Sequence, residues 1–134
     1  MMVPPINLEN KLFLTAHLGY TLSKFGASMM AKGLGNEFEG DIGVNTLWPR
    51  TGIDTNAIKN VTNSDAISML LRRPSVMGMA AATIFKSNNE VYTGMHFIDD
   101  EVLVGAGLET MHTLNKYNCD PNVPDYILMP DLLL

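Results

Sequence analysis

Two short β-forming runs, each arriving after a helical stretch, limit most strongly how this sequence can fold. The first, Ile42 to Trp48, is stopped by Pro49, and the second, Val91 to Ile98, follows a helix that opens at Pro74-Ser75 and ends at Ser87-Asn88-Asn89. Ile42, Val44 and Trp48 occupy one phase of the first run and Leu47 the other, so both faces are expected to be covered, as in a central or near-central parallel strand. Upstream, Asn10 to Phe38 is helical in pattern, with Leu18, Leu22, Phe25, Met29 and Leu34 on one apolar stripe. Gly26, Gly33 and Gly35 permit close packing there or end the helix near Gly33 to Gly40. Arg50 to Asn63 reads as an irregular loop or short helix. Val76, Met77, Ala80, Ala81, Ile84 and Phe85 line one side of the next helix, and Pro4-Pro5 keep the first eight residues extended. Helix, strand, helix, strand and then an irregular tail from Asp99 is the order of βαβ units with a parallel sheet. Two such strands covered by helices leave a sheet edge and much apolar surface open, so the pattern is that of the end of a larger doubly wound sheet.

Composition narrows the function classes. With 134 residues, 46% of them hydrophobic and 17% charged, the chain is expected to be one soluble, folded domain at most. A net charge of -5 and a pI near 5.0 argue against nucleic acid or anionic membrane as a partner. Arg72-Arg73 is the one adjacent basic pair and reads as a solvated helix end. The single Cys119 excludes an internal disulfide and fits a reducing compartment. No apolar run is long enough to span a bilayer, and the opening residues form neither a signal nor a transit peptide. His17, His96 and His112 are scattered, which gives metal chemistry no support, and no GxSxG elbow is present. His96 is expected inside a strand with one hydrogen bond, and the methionines are expected to fill core. Gly105-Ala106-Gly107-Leu108-Glu109-Thr110 lacks the third glycine of a dinucleotide-binding turn and reads as an ordinary turn.

One spacing carries chemistry. Tyr20 and Lys24 stand four apart on the first helix, which puts both side chains on one face, one turn apart. Bringing a phenol from near 10 to neutral pH takes about 4 kcal/mol of differential interaction, and a neighbouring ammonium supplies part of it. Such a phenol can give a proton to a carbonyl oxygen as hydride arrives, or take one from an alcohol. With four Tyr and six Lys in the chain, the spacing arises by chance about one time in five, so a plain surface pair is the competing reading. The setting raises it above chance: Gly19-Tyr20-Thr21-Leu22-Ser23-Lys24-Phe25-Gly26, then a strand ending Trp48-Pro49-Arg50-Thr51-Gly52-Ile53-Asp54-Thr55.

Those residues resemble the second half of the short-chain dehydrogenase/reductase pattern: Tyr-x-x-Ser-Lys-x-Gly on a long helix, a strand of the form Val-Asn-x-Leu-x-Pro, and a loop ending Ile-x-Thr. Pro4-Pro5-Ile6-Asn7-Leu8, Arg72-Arg73-Pro74-Ser75-Val76-Met77, Thr93 to Asp100 and the Pro124 to Leu134 tail extend the likeness to one subgroup over nearly the whole chain. The resemblance implies an α/β fold, the C-terminal portion of a Rossmann-like doubly wound parallel sheet, with residues 1–134 a single partial domain. It implies Tyr20 as catalytic acid/base and Lys24 as the group that hydrogen-bonds the nicotinamide ribose. Pro49, Thr51, Ile53 and Thr55 would lie on the loop against the nicotinamide, Ile53 offering backbone and the threonines hydroxyls; capping of the next helical turn is the other reading of Thr51 and Thr55.

NAD(P) is the implied cofactor and a lipid- or steroid-type carbonyl or alcohol the implied substrate, with self-association or pairing with a full-length relative as further partners. An intracellular setting, peroxisome or mitochondrion, is implied as well, although Leu132-Leu133-Leu134 is not a peroxisomal address of the Ser-Lys-Leu kind. The sequence departs from the pattern in two respects. Val3 stands where the subgroup has a Ser that polarises the substrate carbonyl, and the glycine-rich turn and ribose-binding acid of the cofactor half are not in this sequence. The chain alone is therefore expected neither to hold the cofactor nor to transfer hydride, and a non-catalytic interaction module or shortened gene product is the alternative.

Overall fold

The computed structural model describes residues 15, 17–62, 65–87 and 92–124, so the expectations on Pro4-Pro5, Val3, Asn88-Asn89, Val91 and the Leu132 to Leu134 tail lie outside the described residues. In chain order the elements are α1 (Leu18–Glu37), β1 (Thr46–Trp48), α2 (Asn56–Thr62), a 3-10 turn (Asp65–Leu70), α3 (Ser75–Phe85), β2 (His96–Ile98), α4 (Asp99–Gly105) and a second 3-10 turn (Thr113–Tyr117). β1 and β2 make a two-stranded sheet. Its rungs advance in the same direction along both segments, Gly94 N–H donating to Val44 O at 2.7 Å and Thr46 N–H to Met95 O at 3.0 Å, which is the parallel pattern expected.

The strands are shorter than the β-forming runs. Ile42 lies before β1 and is 53% exposed. Asn45 explains why regular pairing starts late, because its side chain makes bonds that a backbone ladder would otherwise make. Its Nδ2 donates to Tyr92 O at 2.9 Å and its Oδ1 accepts the Met95 N–H at 3.0 Å.

The described residues fall into two compact units, one up to Thr46 together with Ser87–Phe97, the other Leu47–Lys86 together with residues from Ile98 onward. In the first unit α1 departs from the expected stripe. The residues it buries are small, Thr21, Ser28, Ala31 and Gly35, while Leu18, Leu22 and Met29 are roughly half or more exposed and only Phe25 of the stripe is half-buried. Close approach selects the small face: a Cβ on Gly35 would sit 2.4 Å from the Gly94 backbone nitrogen, so this side of α1 can meet the 92–95 segment only without large side chains. Gly26 and Gly33 face no such neighbour, and the helix runs past both. Most of the methionines correct the core-filling expectation, since Met29, Met30, Met69 and Met79 are exposed, whereas Met77 packs against the core of the second unit and Met95 is half-buried.

The second unit has its own core, Val76 and Ala80 of α3, Leu103 of α4, and Leu114 and Tyr117 of the second 3-10 turn, with Leu47, Ile53, Met77 and Val102 packed around it. Phe85, assigned to the same side of α3 by spacing, lies at its free end and is 85% exposed. The tail from Asp99 begins with a helix rather than irregular chain. Asp99, Asp100 and Glu101 fill the first turn of α4, where negative charge suits the amide end of a helix, and Leu103 is fully buried. Gly107 takes a positive φ of 69° just after α4, letting the Leu108 N–H turn back to Leu103 O at 3.0 Å. Glu109 then anchors the second 3-10 turn, accepting from Thr113 Oγ1 at 2.7 Å, Tyr117 OH at 3.1 Å and Lys116 Nζ at 2.5 Å.

Candidate active site

α1 presents Tyr20 and Lys24 together in the first unit. The Lys24 Nζ lies 5.4 Å from the centroid of the Tyr20 ring, a cation–π distance, and Tyr20 is 56% exposed. Ser23 stabilises the same turn, donating its hydroxyl to Tyr20 O at 2.7 Å. A phenol and an ammonium adjacent on an accessible face provide a proton-carrying oxygen and a cation within reach of one ligand.

Pro49, Thr51, Ile53 and Thr55 belong to the second unit and follow β1 on one loop. Pro49 stops the strand and is half-buried, Thr51 is buried, and Thr55 is exposed directly before α2, where its carbonyl accepts the Lys59 N–H at 3.2 Å. Ile53 pairs with Arg72 as an isolated parallel bridge, in which the Arg72 N–H donates to Gly52 O and the Asp54 N–H to Arg72 O, both at 2.9 Å. In a parallel bridge of this kind the bonds come from the residues flanking Ile53, so the N–H and C=O of Ile53 itself face the opposite edge.

The segment from Asp99 to Glu101 grips the start of this loop, a contact that sequence reading does not assign. Asp99 Oδ1 accepts the Arg50 N–H at 2.8 Å. Asp100 takes the Arg50 Nε at 3.2 and 3.3 Å through its two oxygens, and Glu101 takes Nη2 at 2.6 Å. Asp99 is fully buried, and its Oδ2 has no hydrogen-bond partner among the described residues. Burial pushes its carboxyl above the usual carboxylate range, opposed first by the Arg50 amide, while the Asp100 charge adds to the rise and the Asp100 amide and Arg72 oppose it. Asp100 also faces the Arg72 guanidinium, 3.7 Å from Nη1. Against these groups lies a cleft of about 610 Å³, bordered by Arg50, Thr51, Arg72, Asp100, Val104 and Met111, within the size range of small-molecule sites. The sequence signal for this contact is three consecutive acids directly after a strand, with an arginine directly after the Pro that ends the other strand.

His96 in β2 is half-buried and shares a 2.6 Å hydrogen bond between Nδ1 and Thr46 Oγ1, the single bond expected of it. Burial, then the Lys32 charge, holds its imidazole below the usual value. Burial, then the Asp54 charge, pushes the Cys119 thiol up, away from a reactive thiolate. No group of three or more His, Cys, Asp or Glu suited to a metal occurs among the described residues. None of the described helices is long and apolar enough to cross a membrane.

No family model matches the sequence. Hydroxysteroid dehydrogenase-like protein 2 of Xenopus laevis is 36% identical over 131 residues, which is 98% of this chain and 29% of the relative. Among solved structures, a proposed dehydrogenase from Xanthomonas campestris aligns with a TM-score of 0.79 at 40% identity, over 99% of this chain and 46% of that one. A short chain dehydrogenase from Mycobacterium thermoresistibile aligns with a TM-score of 0.75 at 32% identity, over 98% and 44%. The chain thus spans less than a third of the curated relative and under half of each solved structure. With its helix–strand–helix–strand order and its parallel strand pair, the chain belongs to the short-chain dehydrogenase/reductase family and carries the C-terminal portion of its Rossmann-like, doubly wound α/β fold.

Proposed function

We propose that the chain is a single partial domain, the substrate and catalytic half of an NAD(P)-dependent oxidoreductase that interconverts carbonyl and hydroxyl groups on lipid- or steroid-type compounds. The observation that carries this reading is the Tyr20 and Lys24 pair, with its ammonium 5.4 Å from the phenol ring on an accessible helix face. Tyr20 holds the proton that a carbonyl oxygen takes up or an alcohol gives away, and Lys24 binds ribose hydroxyls. On the loop, Ile53 offers backbone N–H and C=O outside its bridge with Arg72, and Thr51 and Thr55 offer hydroxyls for a carboxamide. The loop groups suit a nicotinamide carboxamide, the end of a dinucleotide that supplies or accepts hydride when bound. Pyrophosphate is held in such folds by a glycine-rich turn at a helix N-terminus, which this sequence does not contain, so the 134-residue chain alone is inactive in this reading. A peroxisomal or mitochondrial setting accompanies it.

A second reading, a non-catalytic module that pairs with a full-length relative, draws on Leu18, Leu22, Met29 and Met30 standing exposed on α1. Co-purification with an intact dehydrogenase favours it. Transcript sequencing upstream of the Met1 codon separates the two. An in-frame TGxxxGxG turn supports the oxidoreductase, and Tyr20→Phe in that longer polypeptide is then expected to slow NAD(P)H-linked carbonyl reduction about a hundredfold or more. Unchanged turnover in the variant contradicts the role given to Tyr20, and unrelated upstream sequence favours the module.

A further inference from the structure

We infer that Asp99 is a positioning residue for the loop that follows β1, and that Asp99, Asp100 and Glu101 act on that loop through one residue, Arg50. The inference rests on reading this loop as the one that meets the nicotinamide. Three consecutive acids hold Arg50 by backbone and side chain at once: the Asp99 carboxylate takes its amide N–H, Asp100 its Nε, and Glu101 its Nη2. Farther along, the loop is held by the backbone of Arg72 at Gly52 and Asp54, and the Arg72 guanidinium lies beside the same Asp100. The segment from Arg50 to Asp54 is thereby fixed at both ends, and Ile53, between the bonded residues, is left with its own polar backbone groups turned to the other edge.

The energetics favour a purpose other than core packing. Asp99 is fully buried with Oδ2 lacking a hydrogen-bond partner among the described residues, an arrangement that disfavours folding compared with an apolar side chain of similar volume. Buried polar groups that are not fully satisfied call for a compensating role, and rigid presentation of a binding loop provides one. Arg50 joins the clamp to the border of the cleft, since Arg50, Thr51, Arg72 and Asp100 all line it. A ligand entering that cleft meets a loop whose geometry is already set.

Backbone amide exchange of the 134-residue chain, read peptide by peptide in Asp99→Val, Asp99→Asn and Asp100→Asn, tests the inference. Asp99→Val is expected to speed exchange across residues 50–54 about tenfold or more while leaving the α3 peptide as protected as before. Asp99→Asn should restore most of that protection, because its amide oxygen can accept the same Arg50 N–H. Asp100→Asn should leave the Arg50 amide protected. Unchanged loop exchange in Asp99→Val, or equal loss of protection in α3, overturns the inference, the second result marking Asp99 as an ordinary core residue. Should Asp99→Val not fold, Asp99→Ala is the decisive variant, with severalfold faster loop exchange expected and unchanged exchange contradicting the clamp. Failure of the cofactor reading would leave these exchange results standing, and failure of the clamp would leave the cofactor reading standing.

Discussion

Asp99 and Glu109 are both buried carboxylates, yet Asp99 accepts a backbone amide while Glu109 takes the Lys116 ammonium at 2.5 Å. Burial raises the Asp99 pKa, so its folded form holds the proton more tightly than the unfolded one. Its contribution to stability is complete below the ordinary carboxylate range and is lost as pH rises through the raised value. Glu109 has the opposite sign: the Lys116 hydrogen bond, then that of Thr113, lowers it, so its contribution is present above the ordinary value and is lost as pH falls through the lowered one. Thermal melts across the acid range should therefore show Asp99→Asn removing a decline of stability toward neutral pH, and Glu109→Gln removing a loss at the acid end. Parallel pH profiles for wild type and both variants would contradict this assignment. Packing gives a second prediction: Gly35→Ala, whose Cβ would meet the Gly94 backbone at 2.4 Å, should lower stability by about 1–3 kcal/mol. Gly33→Ala, with nothing within 4 Å, should raise it by up to about 1 kcal/mol through helix propensity. Residue-scale chemistry is legible in the sequence where partners are close along the chain. Tyr20 and Lys24 meet because a helix brings i and i+4 together, whereas the Asp99 bond to Arg50 joins residues 49 apart and only the folded sheet reveals it.

At the scale of elements, periodicity locates α1, α3 and both strands, because a helical or alternating apolar pattern records backbone type directly. Which face each helix buries is less legible. Spacing makes the apolar stripe of α1 its core face, and the structure instead buries Thr21, Ser28, Ala31 and Gly35, because a close backbone approach rewards small volume over hydrophobicity. The two faces make a paired prediction. Leu22→Gln and Met29→Gln, at exposed positions, should change the stability of the chain by no more than about 0.5 kcal/mol, whereas Leu103→Ala or Leu114→Ala, fully buried in the second unit, should lower it by about 2–5 kcal/mol. Equal losses at both sets of positions would show that the exposed face of α1 is covered within the chain. α4 escapes sequence reading because seven residues are too few for a periodic signal, although its acidic first turn and the glycine beyond its end are helix-boundary signals.

On the scale of the whole molecule, each strand has one sheet neighbour among the described residues, and large apolar side chains from Leu22 to Met111 remain exposed. Open strand edges and wet apolar faces favour association, so the isolated chain is expected to sediment as oligomers, and a monomer would contradict that. Tyr20, Lys24 and the Pro49 to Thr55 loop, on which the proposed function rests, are legible in the 134 residues, while a glycine-rich turn that would hold a pyrophosphate is not among them. Calorimetric titration of the 134-residue chain with NADH and NADPH bears most directly on the claim that it carries the catalytic half without the means to hold a dinucleotide. No saturable binding is expected up to roughly 1 mM, and a dissociation constant in the low micromolar range for either cofactor would contradict it.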